Sequence, residues 1–504
     1  MSDVVQVIWF KRDLRVHDHA PLLNASHNGP VIPLYIIEPT LWAQPDSSRR
    51  HWHFIHDSLH DLRDDLAARG AQLIIRIGEV CDVLDHLRQQ FGSFVLWSHE
   101  ETGNGWSYQR DLSVGQWCKA HGVIWHEMPS NGVVRRLKNR DEWARLRNQR
   151  MQAPLISAPT QIRCVAHVAT HDLPAKDHIL FGAFDIGSVQ KGGRQEGVKT
   201  LASFLRERGR RYMLTISKPG VSARHCSRLS AHISFGTLSV REIEQATQAK
   251  ITQLAASSED EAQFFRRNLA AFLSRLAWHC HFIQKLEQQP CIEFKCMHSA
   301  FEGMREPYFR DDYFDAWRKG RTGYPLIDAS MRSLHANGWI TFRMRAMLVS
   351  FASYHLWLDW RRTAPFLAQL FTDYEPGIHY PQFQMQSGVT GINVLRMYNP
   401  IKQSYDHDPA ARFIRRYLPE LAGVPDAFVH EPWRCERPVA DYPSPIVAHE
   451  AAVRHARQEI AQRWQQSDFK EQAKEVHQRL GSRQRGPRPK RSSVKQIQQL
   501  SFDV

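Results

Sequence analysis

The sequence has no CxxC pair, no apolar run of membrane length and no GxGxxG turn behind its first strand-like stretch. Each absence removes a class of protein. The eight cysteines, Cys81, Cys118, Cys164, Cys226, Cys280, Cys291, Cys296 and Cys435, are scattered, so neither a disulfide framework nor a structural zinc site is expected, and no metal. A helix needs about 20 apolar residues to span a bilayer, and without such a run no membrane association is expected. The opening MSDVVQVIWF runs straight into a strand without a signal-peptide pattern, which predicts a cytoplasmic protein with reduced thiols. The missing glycine fingerprint takes away the usual dinucleotide-binding turn after the first strand.

Acidic residues are also in deficit. Lys and Arg number 66 against 52 Asp and Glu, a net charge of +14 with an isoelectric point near 9.5. That excess favours a polyanionic partner, nucleic acid first, and a nucleoid-associated location. The 504 residues suit two or three domains, and 42% hydrophobic content is ordinary for a globular protein. Fifteen tryptophans are many, and such π systems need cores, stacking surfaces or electron-transfer roles. No feature points to a protein partner, and a monomer is expected.

Along the chain, Val4 to Phe10, Val31 to Ile37, Gln72 to Ile77, Phe94 to Trp97 and Val123 to Glu127 are short Val/Ile-rich runs that alternate with amphipathic stretches. The pattern predicts an α/β N-terminal domain, a Rossmann-like parallel sheet wrapped by helices, over residues 1–133. Residues 134–196 are poorly patterned and rich in Pro and Gly, and read as an interdomain linker. Residues 197–475 read as a large all-α domain, with helices over Val198 to Tyr212, Ser239 to Gln248, Glu261 to Gln288, Tyr324 to Ala336, Ile340 to Trp360 and Pro365 to Phe371. Ser239 and Glu242 match a capping box. Residues 476–504 read as a basic, disordered tail, with Arg483, Arg485, Arg488, Lys490, Arg491 and Lys495 against Asp503.

Inside the helical half, DYEPGIHYPQFQMQSGVTGINVLRMYNP, Asp373 to Pro400, has too many Gly, Pro, Gln, Ser and Thr residues for a regular helix and reads as an irregular segment lining a site. Its Asp373 and Glu375 follow Arg343 and Arg345, which suggests a buried charge cluster: either a structural ion pair or an occupied site.

Four motifs, WFKRDLRVHDHAPL (from Trp9), CSRLSAHISFGTLSVRE (from Cys226), GRTGYPLIDASMRSLHANGWI (from Gly320) and YNPIKQSYDHDPAARFIRRYLPEL followed by VHEPW, occur in an order that resembles the photolyase/cryptochrome flavoprotein family, up to about Arg463. The resemblance implies FAD held in the helical domain. It assigns Tyr212, Cys226, Ser227, Arg228, Leu229 and Ser230 to the flavin phosphates; Phe272, Arg275, His279 and Phe342 to the cofactor pocket; Arg345 and Asp373 to a pair beside the isoalloxazine; and Glu375 to the ribose or adenine end. His379 falls at the position facing flavin N5, where it could exchange a proton near neutral pH or simply bond a backbone carbonyl.

In repair members the resemblance implies electron transfer to a flipped-out pyrimidine dimer in DNA, with Trp278 stacking on it, Arg343, Arg396 and Lys402 as phosphate or pocket cations, and Met385 in place of a second stacking tryptophan. Other departures follow. Arg275 stands where dimer-repairing members carry a glutamate, His279 replaces an arginine, Phe342 an asparagine and Ala346 a methionine. Of the tryptophan relay only Trp360 remains, with Phe383 at the inner and Pro307 at the outer position; Trp357, Tyr380 and Tyr308 are candidates for a bypass. The histidine expected after GW in (6-4) repair is absent, and so are the cysteines of an iron–sulfur branch. The expectation is therefore a bacterial-type, light-driven lyase on cyclobutane dimers, with tolerance for single-stranded DNA. A cryptochrome-like photoreceptor and a passive flavin-bearing DNA binder are the rivals. An antenna chromophore in the α/β domain would sit near Glu100 and Glu101, residues that could equally be solvated loop acids.

Overall fold

The computed structural model describes residues 4–182 and 186–482. The basic tail from Arg483 onward lies outside the described residues, while a helix, Phe469–Leu480, crosses residue 476, where the tail was expected to begin.

Five strands pair in parallel in the order β3-β2-β1-β4-β5: β1 Val5–Phe10, β2 Val31–Ile37, β3 Ile74–Ile77, β4 Phe94–His99 and β5 Ile124–Met128. The central strands read as unbroken apolar runs because helices cover both faces of the sheet, leaving Ile8, Leu34 and Leu96 fully buried. The order reverses at β1, so a crevice opens beyond the carboxyl ends of β1 and β4. Lys11 to Asp13 leave β1 there, and Glu100 and Glu101 leave β4.

This loop after β1 fastens the two halves together. Arg12 donates to the Ser234 carbonyl at 3.0 Å and the Tyr374 carbonyl at 2.7 Å, and pairs with Glu375 at 3.2 Å. Arg15 donates to Gly236 O at 2.9 Å. Gly236 has φ +63°, and a Cβ there would lie 2.4 Å from the Arg12 carbonyl, so only glycine allows the approach. Asp13 fixes the loop from within, its Oδ2 accepting from His19 Nε2 at 2.9 Å and His99 Nδ1 at 2.7 Å. These three could surround a cation. However, His19 Nδ1 accepts from the Leu22 N–H to cap a helix, which puts its proton on Nε2 and commits that nitrogen to Asp13 rather than to a metal.

The linker is more ordered than its composition suggests, containing the helix Trp143–Gln152. Ser239 caps Val240–Ala255, its hydroxyl accepting from Glu242 N at 2.9 Å. The helix expected over Ile340 to Trp360 divides instead: Phe342–Ser350 is α-helical, Phe351–His355 a π-helical turn, and a new helix, Trp360–Leu370, begins after Trp357 at φ +53°. Asp373 to Pro400 is not irregular throughout, because Pro376–Ser387 is a helix. Pro376 takes a first-turn position, where its missing N–H costs nothing, and Gly388 closes the helix in the left-handed conformation. Pro381 removes one internal donor without ending the helix, which packs against Asp260–Gln288 closely enough that a Cβ on Gly377 would lie 2.7 Å from Ile283 Cα.

Candidate functional site

Three helices each turn one stripe, spaced i, i+3, i+4, i+7, toward a common cavity of about 330 Å³. Asp260–Gln288 contributes Arg275, Trp278, His279 and Phe282; Phe342–Ser350 contributes Phe342, Arg345, Ala346 and Val349; Pro376–Ser387 contributes His379, Gln382, Phe383 and Gln386. The loop Cys226 to Ser230 and the segments Trp339 to Thr341 and Phe371 to Glu375 close the wall. The cavity falls in the usual size range of ligand sites and is mainly apolar with a few convergent polar groups.

Arg345 Nη2 donates to Asp373 Oδ2 at 2.8 Å, and the guanidinium lies 4.0 Å from the Phe371 ring centre. Burial alone would raise the Asp373 carboxyl, but Arg345 beside it, then Ser230 and Arg228, hold it below its ordinary value. Arg228 is itself in the left-handed region at φ +60°, an expensive conformation for a non-glycine residue, and stacks 4.2 Å over Trp339. Burial lowers its pKa to about 10. Arg208 braces the same loop through the carbonyls of Cys226 and Ser227. Arg275 lies 4.3 Å over the Trp278 ring, so a guanidinium already covers one indole face.

His379 lines the cavity, but its Nε2 pairs with Ala364 O at 2.9 Å. Burial brings its pKa down to about 4. The ring is therefore neutral at physiological pH and carries its proton on Nε2, bonded to a backbone carbonyl, with Nδ1 left as an acceptor. Glu375 also lines the wall and is raised by burial despite Arg12.

The sequence-predicted residues Tyr212, Cys226, Ser227, Arg228, Ser230, Arg275, Trp278, His279, Phe342, Arg343, Arg345, Asp373, Glu375 and His379 all meet in this wall. Six others do not line it. Leu229 is buried under the loop, and Phe272 packs edge-on to Phe204 and Tyr212. Met385 is buried on the Pro376–Ser387 helix but does not line the cavity. Trp360 is buried at the start of its own helix, with Arg361 4.8 Å from its ring centre. Arg396 lies on the chain after that helix, and Lys402 is exposed and paired with Asp406 at 2.7 Å.

Gln382 and Gln386 are wall residues that sequence reasoning missed. The same spacing that reveals the other two stripes would have found them, had the two prolines not hidden the helix. Together with His279 Nε2 and Asp373 Oδ1, the Gln382 Oε1 and both amide atoms of Gln386 are buried without a hydrogen-bond partner. Each such atom costs about 1–3 kcal/mol unless something satisfies it. Their concentration in one wall fits a polar-edged, planar ligand.

The crevice of the α/β domain is much smaller, about 90 Å³. Arg110 crosses it, pairing with Glu38 at 3.0 Å and Glu101 at 2.6 Å, so Glu101 is a paired acid and not a solvated one.

A sequence model described as the FAD-binding domain of DNA photolyase matches residues 272–462, and one described as DNA photolyase matches residues 6–142. The chain belongs to the photolyase/cryptochrome family. Among family members, it is 26% identical to a deoxyribodipyrimidine photo-lyase of Alkalihalophilus pseudofirmus, across 89% of this chain and 96% of that one. It is 27% identical to a cryptochrome DASH of Gloeobacter violaceus, across 89% and 94%. The crystal structure of an archaeal photolyase from Sulfolobus tokodaii with two FAD molecules superposes with a TM-score of 0.73 at 25% identity, covering 91% of this chain and all of that one. The family thus spans lyases and cryptochromes, and both halves of the fold are those of its members.

Proposed function

We propose that this family member is a blue-light-dependent FAD flavoprotein that repairs cyclobutane pyrimidine dimers in DNA. The observation that carries the reading is the single cavity in which the Arg345–Asp373 pair, several unsatisfied polar atoms and Trp278 share one wall. Bound FAD, reduced and photoexcited, would supply one electron to the dimer and recover it after the ring opens. Ser227, Arg228 and Ser230 would hold the phosphates, with Tyr212 and Cys226 beside them. Arg345 and Asp373 would fix the ring and set the charge around it. His279, Gln382 and Gln386 offer donors and acceptors to its polar edge. Trp278 gives the dimer an indole to stack on, and the net charge of +14 draws in the phosphate backbone. In the α/β crevice, a second chromophore would have to displace the ion pairs of Arg110.

The alternative is a cryptochrome-like photoreceptor without repair activity. It is favoured by Arg275 lying over Trp278, which gives the substrate side a donor and covers part of its stacking surface. One experiment separates the two. The reduced holoprotein is illuminated with blue light over dimer-containing single- and double-stranded oligonucleotides, and thymine absorbance is followed. Repair predicts recovery that needs light. A photoreceptor predicts reversible flavin photochemistry with no recovery in either strand form.

A further inference from the structure

Tyr374 stands in the cavity wall between Asp373 and Glu375, and it also lines the α/β crevice. Its hydroxyl donates to Asp46 Oδ2 at 2.5 Å, and the hydroxyl of Tyr380 donates to the same oxygen at 3.2 Å. The Asn104 amide holds both Asp46 oxygens at 3.1 Å. All four side chains are buried, and Asp46 comes from the other half of the fold. A phenol bonded to a positioned carboxylate can lose an electron and its proton together, which avoids the high-energy phenol radical cation in a low-dielectric interior.

The two tryptophans of the cavity wall, Trp278 and Trp339, and the buried Trp357 and Trp360 of the same half of the fold are arranged in the opposite sense. Trp278 carries Arg275 at 4.3 Å, Trp339 carries Arg228 at 4.2 Å, Trp357 carries Arg305 at 4.5 Å and Trp360 carries Arg361 at 4.8 Å. A cation over an indole stabilises the neutral ring and opposes the charge left by oxidation. Phe383 occupies the wall position nearest His379, at 4.7 Å between ring centres, and does not oxidise readily. Tyr212, the other tyrosine of the wall, has Arg275 as its charged neighbour rather than an acid.

We propose that Tyr374 is the internal electron donor for light-driven reduction of the oxidised flavin, with Asp46 as its proton acceptor. This rests on the flavin photochemistry proposed above. Tyr374 gives one electron to the photoexcited, oxidised isoalloxazine; its O–H bond breaks and the proton passes to Asp46 Oδ2, leaving a neutral tyrosyl and a carboxylic acid. An added thiol then restores the tyrosine, supplying the electron, and Asp46 returns the proton. Tyr380, on the same oxygen but outside the cavity wall, orients the carboxylate.

The test uses the FAD-loaded full chain, illuminated in its oxidised form and read by electron paramagnetic resonance and transient absorption. The wild type is expected to show a neutral tyrosyl signal whose formation slows in D2O. Tyr374→Phe is expected to lose that signal and the light-driven flavin reduction while keeping its FAD content, and Asp46→Asn to lose the solvent isotope effect; Tyr380→Phe should retain the signal. In flavin-free protein, the infrared phenol C–O band assigned by Tyr374→Phe should shift on Asp46→Asn, which reports the bond itself. Flavin reduction in Tyr374→Phe at the wild-type rate, or a tryptophanyl signal in the wild type, overturns the proposal and leaves the light-driven reading intact. A wild type that binds FAD but shows no photochemistry in either redox form overturns both.

Discussion

Gly377→Ala tests the packing that creates the cavity. The added Cβ would lie 2.7 Å from Ile283 Cα, 2.9 Å from its Cγ2 and 3.0 Å from its Cβ. Carbon atoms prefer about 3.5–4.0 Å, so the two helices must separate by several tenths of an ångström or more. Ile283 cannot swing aside, because one contact is backbone and a β-branched side chain in a helix has essentially one χ1 rotamer. Overpacking of this kind costs about 1–3 kcal/mol, and a rigid neighbour puts this site near the top of the range. Alanine recovers about 0.8–1.0 kcal/mol through helix propensity, leaving a net loss of about 1–2 kcal/mol. For a helical half of this size that lowers the melting temperature by about 2–4 °C. Both separated helices carry cavity stripes, so FAD retention should fall as well. Calorimetry and the visible absorbance of purified protein read the two effects. Gly423→Ala is the control, since a Cβ there meets nothing within 4 Å. A Gly377→Ala protein as stable and as flavin-loaded as the control would refute the reasoning.

Three further outcomes are expected. Burial holds His51 and His379 near pKa 4 and His355 near 3, against 6.5 when unfolded. The unfolded chain therefore takes up protons first, so stability is complete above about pH 6.5 and declines as pH falls toward 4, by up to about 1.4 kcal/mol per pH unit for each histidine. Urea midpoints that stay level between pH 6.5 and 5 would contradict this. Asp373→Ala strands the partly buried Arg345 and should cost about 2–3 kcal/mol, less than a fully buried pair because Arg345 keeps some solvent contact and its bond to Ile340 O; an unchanged urea midpoint would count against the pair. Trp278→Ala should weaken binding to dimer-containing oligonucleotides by about 1 kcal/mol, the low end of base-stacking losses, because Arg275 occupies one face. Equal binding of damaged DNA by this variant and the wild type would remove Trp278 from the interface.

Much of the architecture can be read along the chain because its signals are local. Val31–Ile37 is a strand over the range its apolar run predicts, and Ser239 caps a helix as its spacing to Glu242 predicts. The flavin-side residues were legible through motif resemblance, and most of them meet in one wall. The misses have local causes as well. Pro376 and Pro381 made a helix read as a loop, which hid the cavity stripe of Gln382 and Gln386. The fate of His379 depended on Ala364 O, a backbone atom that no side-chain pattern reports. The bond between Asp46 and Tyr374 joins residues 328 positions apart in different halves of the fold, and no periodicity connects them.

The three stripes have a consequence for how such a chamber can change. Each helix exposes about a third of its circumference to the ligand and uses the rest to hold the scaffold, so the chemistry is written in a small set of letters that architecture does not read. Arg275 in place of an acceptor, His279 in place of a permanent cation and Phe383 in place of an indole all fall on these inward stripes, away from the faces that pack the helices together. The scaffold and the lining can therefore be altered separately, since the twelve inward-facing side chains of the three stripes are not the ones that join the helices.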